Sequence, residues 1–322
     1  MLKKIGLGIV ALVVVLGTTF ALGPREPVDE TIRIDSAAIS SDPEGYIVQA
    51  EARFDDIKPG AEKRIVWDSD IAKAQTDIAV VNIHGFSASS EEIRPVPDQV
   101  AERLEANLFF TRLAGHGRSN DAMAEGSFNA WLNDTVEAIE VGKTIGQKVV
   151  LITTSTGGTL ATVAATRPDL MENVAGIVMV APNFAVQAAG AEILTMPWAR
   201  QLLPIAFGPE RSWEPKNEEQ EKWWNTTYPT VALLPMQASV ERAAAVQYED
   251  IKVPALFMFH DDDGVVKASV IREVAARWGG PAKIVAVEDS SDTSKHVIAG
   301  AITSPENTQM AVDTIVEWAN GL

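Results

Sequence analysis

The stretch that most constrains this chain is Val149-Val150-Leu151-Ile152-Thr153-Thr154-Ser155-Thr156-Gly157-Gly158. Val149 to Ile152 is apolar and mostly β-branched, which reads as a short buried strand. The run stops abruptly at small residues and a serine. From Thr159 to Ala165 the chain reads as a helix of small residues. A strand that enters a helix through one serine is the setting of a nucleophile elbow. The turn is tight, so the positions two before and two after the serine must be small. Here they are Thr153 and Gly157, against the usual G-x-S-x-G. A β-branched Thr153 is expected to push the helix outward slightly. Alone, Ser and Thr at a strand end more often make a plain turn, so the elbow reading depends on the rest of the chain.

That rest alternates between two periods. Residues 24–44, with Pro24, Pro27 and Pro43, read as a linker. Tyr46, Val48, Ala50, Ala52 and Phe54 alternate with polar residues, which predicts a half-exposed strand hairpinned to Arg64-Ile65-Val66-Trp67 across the Lys58-Pro59-Gly60 turn. Ile78 to Ile83 is a continuous apolar strand, as in a parallel sheet covered on both faces. It ends in His84-Gly85-Phe86-Ser87. A helix opens around Pro97, a strand runs from Asn107 to Thr111, and Phe128, Trp131, Leu132, Val136 and Ile139 repeat at helical spacing. After the serine stretch come a strand from Gly176 to Ala181, then Ala255 to His260, a helix from Val266 to Trp278, a strand from Lys283 to Val287 and a helix from Thr308 to Asn320. Between them, residues 184–250 break the pattern with prolines at 197, 204, 209, 215, 229 and 235 and four of the eight tryptophans. This reads as an inserted cap. The expected architecture is α/β, a mostly parallel doubly wound sheet built from residues 45–183 and 251–322.

Composition narrows the function. The 322 residues are 46% hydrophobic, ample for a large core. The net charge of −17 speaks against a nucleic-acid partner. With no cysteine there is no disulfide, thiol nucleophile or thiolate metal site. Lys3-Lys4 precede Ile5 to Leu22, eighteen residues without a charge, so residues 1–23 read as a signal sequence or a single membrane span. At 1.5 Å per residue the run is about 27 Å long. Thr19-Phe20-Ala21 is a poor cleavage site, which favours an uncleaved anchor with the body on the non-cytoplasmic side. Whether anchored or exported, the body is expected across the membrane from Lys3 and Lys4.

Acyl transfer requires a nucleophile, a base, an acid to orient the base and donors for the oxyanion. There are four histidines, His84, His116, His260 and His296. His296 falls after the last strand and before the last helix, where such sheets place function. Asp261-Asp262-Asp263 follows another strand and lacks the spacing of a metal loop. Ser155, an Asp of this run and His296 thus occur in the chain order nucleophile, acid, base, each at a strand's carboxyl end.

With these pieces in place, residues 45–322 resemble the α/β-hydrolase superfamily, nearest its serine esterase and monoacylglycerol-lipase-like branch. The resemblance rests on His84-Gly85-Phe86, Gly115-His116-Gly117, Thr153-Thr154-Ser155-Thr156-Gly157, Asp263-Gly264-Val265-Val266 and His296-Val297-Ile298. It implies Ser155 as nucleophile, His296 as base and Asp263 as acid. The backbone N–H groups of Phe86 and Thr156 would be the oxyanion donors, and the start of the following helix would add its positive end. Asp262 is the rival acid; Asp263 fits the family pattern of Asp, any residue, then two branched apolar residues. His84 and His116 would be structural and His260 a packing residue. The expected function is cleavage of a small-molecule ester or lipid through an acyl-enzyme, without metal or cofactor and with no protein partner expected. Trp223 and Trp224 in the cap are the candidate substrate-binding residues. Amide cleavage, lactone opening, perhydrolysis or a tethered binding protein without turnover are the alternatives.

Overall fold

The structure, a computed structural model, describes residues 2–322, with the side chains of residues 2–5 and 8–10 outside the description. The chain opens with helix α1 (Leu2–Ala21), then the short α2 (Ser36–Ser41) and α3 (Pro43–Glu51). Strand β1 (Arg64–Val66) is followed by β2 (Thr76–Ile83), α4 (Val96–Arg103), β3 (Asn107–Phe110), α5 (Phe128–Ile145), β4 (Gly146–Thr154), α6 (Thr156–Ala164) and β5 (Val174–Val180). The cap region contributes α7 (Ala199–Phe207), β6 (Glu210–Ser212), α8 (Glu218–Trp223), β7 (Thr227–Pro229) and α9 (Leu233–Ala244). The alternation closes with β8 (Ala255–His260), α10 (Ala268–Arg277), β9 (Ala282–Val287) and α11 (Thr308–Ala319).

Seven strands form one sheet in the order β1-β3-β2-β4-β5-β8-β9, and β6 and β7 pair separately. Every neighbouring pair in the large sheet is parallel except β1 with β3. Alternate residues feed opposite faces. Val149 and Leu151 of β4 join the core under α5, α6, α9 and α10; Val150 and Ile152 join the one under α4 and α11. The continuous apolar runs follow from burial on both sides. The carboxyl ends of the central parallel strands β2, β4, β5 and β8 all point to one edge, where residues between β5 and β8 line a cavity shared with Ser155.

One predicted element is corrected. Residues 46–54 are not a strand, and no hairpin forms with Arg64 to Trp67. The segment lies largely in α3, whose N-cap Asp42 accepts the Gly45 N–H and whose first residue is Pro43. A helix start signal outweighs the period of two. The helix buries Ile47 and Glu51 one turn apart and leaves Val48 exposed. Glu51 takes a two-point hydrogen bond from buried Arg112, at 2.9 and 2.7 Å. β1 pairs with β3 instead, Arg64 opposite Phe110. Residues 29–33 lie along α5, where Asn129 and Asn133 donate to the carbonyls of Asp29 and Thr31, and α2 brings Ile39 into the core.

The anchor expectation falls on α1, part of whose side chains lie outside the description. Among the described residues no helix is long and apolar enough to cross a membrane. Leu7, Leu12, Val13, Val14, Val15, Leu16 and Phe20 are exposed.

Candidate active site

Ser155 occupies the single-residue step between β4 and α6, at φ 49° and ψ −114°. Such a backbone is costly for a residue with a Cβ and persists only where its surroundings fix it. They do so here through the Ser155 N–H to Val180 O (2.9 Å) and the Asn183 N–H to Ser155 O (3.1 Å). Gly157 must be glycine for contact reasons, because a Cβ there would stand 2.3 Å from the Ile83 carbonyl oxygen at the end of β2. Thr153 is a regular β4 residue opposite Met179, and its hydroxyl donates to Val178 O at 2.9 Å.

Two loops bring partners to this serine. After β8, Asp263 is buried, and its Oδ1 accepts the N–H groups of Val265 (2.7 Å) and Val266 (2.9 Å). Its Oδ2 lies 2.8 Å from His296 Nδ1, and His296 Nε2 lies 3.0 Å from Ser155 Oγ. A carboxylate oxygen accepts only, so Nδ1 carries the proton and Nε2 accepts the hydrogen bond of the Ser155 hydroxyl. Asp262 is exposed, and its N–H donates to His260 Nδ1. It takes no part in this chain of contacts. The His296 loop is held by Asp292, whose Oδ2 accepts the N–H groups of His296 and Val297 (2.9 Å each) and the Ser294 hydroxyl. Lys216 of the cap pairs with Asp292.

The other face of the site is the loop after β2. Among the described residues no protein acceptor takes the N–H of Phe86 or of Thr156. His84 Nδ1–H donates to Gly85 O at 2.9 Å, and His84 Nε2 accepts the Leu113 N–H at 3.1 Å. Gly85 C=O and Phe86 N–H belong to one planar peptide, so holding the carbonyl on one side aims the N–H to the other. Burial pushes His84 down to about 4 and His116 well below the usual imidazole range, so both are neutral wedges. His116 packs between His84, Phe86 and Trp131. His260 faces Glu288 O.

Above Ser155 lies a cavity of about 720 Å³, walled by cap residues that include Leu194, Leu203, Phe207, Trp213, Trp224 and Tyr228. Trp223 lies outside that wall. It stands over Gly60 and donates its indole N–H to Glu219. Glu92 and Asp292 line the cavity and went unread in the sequence, and Trp213, counted there among the cap tryptophans, was not chosen as a substrate contact. Among the described residues no cluster of His, Cys, Asp or Glu is arranged to hold a metal ion.

Residues 74–289 match the family model described as serine aminopeptidase, S33. The chain belongs to this family. A search of curated proteins finds no significant match. Among solved structures, the chain is similar to one from work on LipS and LipT, two metagenome-derived lipolytic enzymes, at TM-score 0.67 and 20% identity over 83% of this chain and 100% of that one. It is also similar to the monoacylglycerol lipase of Paleococcus ferrophilus, at TM-score 0.58 and 16% identity over 80% and 97%. A soluble variant of the monoglyceride lipase of Saccharomyces cerevisiae matches at TM-score 0.57 and 13% identity over 81% and 92%. The fold is therefore the α/β-hydrolase fold, and the chain is a hydrolase of that class.

Proposed function

We propose that the protein cleaves carboxylic esters of small molecules through an acyl-enzyme on Ser155. One observation carries this reading: the continuous chain from Ser155 Oγ through His296 to Asp263, at 3.0 and 2.8 Å, on a strained strand-to-helix step. His296 takes the hydroxyl proton as Ser155 Oγ attacks the acyl carbon. The oxyanion is received by the N–H groups of Phe86 and Thr156, with the first turn of α6 behind it. His296 then protonates the leaving alcohol. Water, activated the same way, releases the acid, while Asp263 holds the ring and balances its transient charge. The apolar cap wall supports an acyl chain as the occupant, and the lipolytic enzymes of like fold support the same reaction class.

The test is Ser155→Ala. The fold should survive and ester cleavage should fall by about 10³-fold or more, because only the oxyanion donors and substrate binding remain. Covalent labelling by a fluorophosphonate should vanish with it. An alanine variant within tenfold of the parent would mean a different nucleophile. Assaying esters, aminoacyl amides and lactones side by side separates ester cleavage from the peptidase activity that the family's description carries.

We further propose that the segment Ile5 to Leu22 tethers the body to a membrane, on the side away from Lys3 and Lys4. The uncharged run behind two lysines supports this, as do the exposed apolar side chains of α1.

A further inference from the structure

Glu92 is a buried carboxyl in this cavity that the mechanism above leaves unused. It sits on the turn between β2 and α4, 3% exposed. Its Oε2 accepts the Gly85 N–H at 2.6 Å. Among the described residues nothing hydrogen-bonds Oε1, and Glu92 shares the cavity wall with Ser155, Phe86 and His296. The packing is tight. A methyl group placed on Gly85 would stand 2.9 Å from Glu92 Oε1 and 3.1 Å from Ser155 Cβ. Carboxyl, Gly85 backbone and nucleophile therefore lie against one another. Gly85 is gripped at both ends, its N–H by Glu92 and its C=O by His84. The second of these bonds aims the Phe86 N–H, and the first keeps the residue in place to receive it.

We propose that Glu92 is a positioning residue for ester hydrolysis: its carboxyl fixes Gly85 behind Ser155, and it does so productively only while it carries its proton. This rests on the ester-cleaving reading of Ser155. The physical reason is charge. An anion on the cavity wall beside Ser155 would oppose the oxyanion that forms there. Burial favours the neutral acid and raises Glu92 to about 7, against the opposing pull of the Gly85 N–H and of His296.

The charged groups facing it are few. His296 lies across the cavity with Asp263 behind its ring. Asp292 is paired with Lys216, and Arg211 and Glu214 stand on the cap wall. On its own turn Arg94 is engaged by Asp98 and Glu91, and Arg64 of β1 by Glu91. Among the described residues none of these cations pairs with Glu92.

The experiment is the pH profile of kcat/KM on a short-chain aryl ester, for the full chain and for Glu92→Gln. The parent should lose activity above neutral pH as Glu92 ionises, by about tenfold per pH unit once past its midpoint. Glutamine keeps an oxygen for the Gly85 N–H and cannot ionise, so the alkaline fall should disappear. The ratio of rates at pH 9 and pH 7 should rise at least tenfold over the parent's. Glu92→Leu, which offers Gly85 no acceptor, should lower kcat at every pH by about 10–100-fold with little change in KM. A flat parent profile above pH 7, or a glutamine variant that falls as the parent does, overturns the proposal. If the glutamine variant does not fold, the parent's profile and the pH dependence of its fluorophosphonate labelling decide. Failure of the ester reading shows separately, as a Ser155→Ala variant that retains the parent's rate.

Discussion

Position 153 shows which parts of a motif are geometry and which are habit. Glycine is usual there, yet Thr153 has ordinary strand backbone and a buried hydroxyl bonded across to β5. Position 157 is different, because any Cβ would collide with the end of β2. Thr153→Gly should therefore cost about 2 kcal/mol of stability, from a lost hydrogen bond, lost packing and a looser backbone, with only a small change in turnover. Gly157→Ala should cost about 3 kcal/mol and most of the activity, because α6 must move away from β2. Urea unfolding of the two variants gives the comparison, and a Gly157→Ala enzyme as stable and active as the parent would refute the contact argument. Ser155, Asp263 and His296 stood out in the sequence because acyl transfer demands those residue types at strand ends, and the structure brings them together. Glu92 could not be singled out. It lies in the polar run Ser89-Ser90-Glu91-Glu92, and nothing local says which glutamate turns inward. Position in space decides it: Glu91 meets Arg64 and Arg94, whereas Glu92 meets Gly85.

Among the elements, the parallel strands were the most legible, since burial on both faces leaves long apolar runs that few other structures need. The segment at 46–54 was misread because a two-residue alternation and a capped, proline-started helix coexist in it, and Asp42-Pro43 settled the matter. Residues 184–250 stood out as an interruption of the alternation, but which of their side chains face the cavity was not legible. The cap is joined to the site at several places, among them the Gln187 side-chain amide, which donates to Asp263 O at 2.9 Å. Tyr228 of β7 meets the Phe86 ring edge-on at 5.3 Å, the Asn225 N–H donates to Ser87 O at 2.7 Å, and Lys216 pairs with Asp292 below His296. Shape changes in the cap thus reach both the oxyanion loop and the base. Trp213 and Trp224 form the wall, and Trp223 does not. Trp213→Ala and Trp224→Ala should each shift preference toward longer acyl chains, while Trp223→Ala should leave it near the parent's. An ester series from two to sixteen carbons, on the order of a drug-sized to lipid-sized occupant, is the measurement. Unchanged preference in both wall variants would assign the wall elsewhere.

For the molecule as a whole, the question is what the first helix does. Among the described residues, both large cores are assembled from residues beyond it. The described links from this end run to the cap: Trp198 donates through its indole N–H to Thr19 O (3.2 Å) and through its backbone N–H to Pro24 O (2.8 Å), and Arg200 pairs with Glu26. Near this junction α7 exposes Leu202, Ile205 and Phe207. The body cannot be drawn to an anionic surface by charge, because the chain carries −17 overall. Any membrane association must then come from apolar contact through the N-terminal run, and such contact is insensitive to salt where electrostatic attraction is screened. Deleting residues 1–23 should leave ester cleavage and folding intact and release the protein from the membrane fraction. The full-length protein should stay in that fraction through a high-salt wash. Recovery of a freely soluble mature protein beginning near residue 22 or 24 would instead identify the run as a removed export signal.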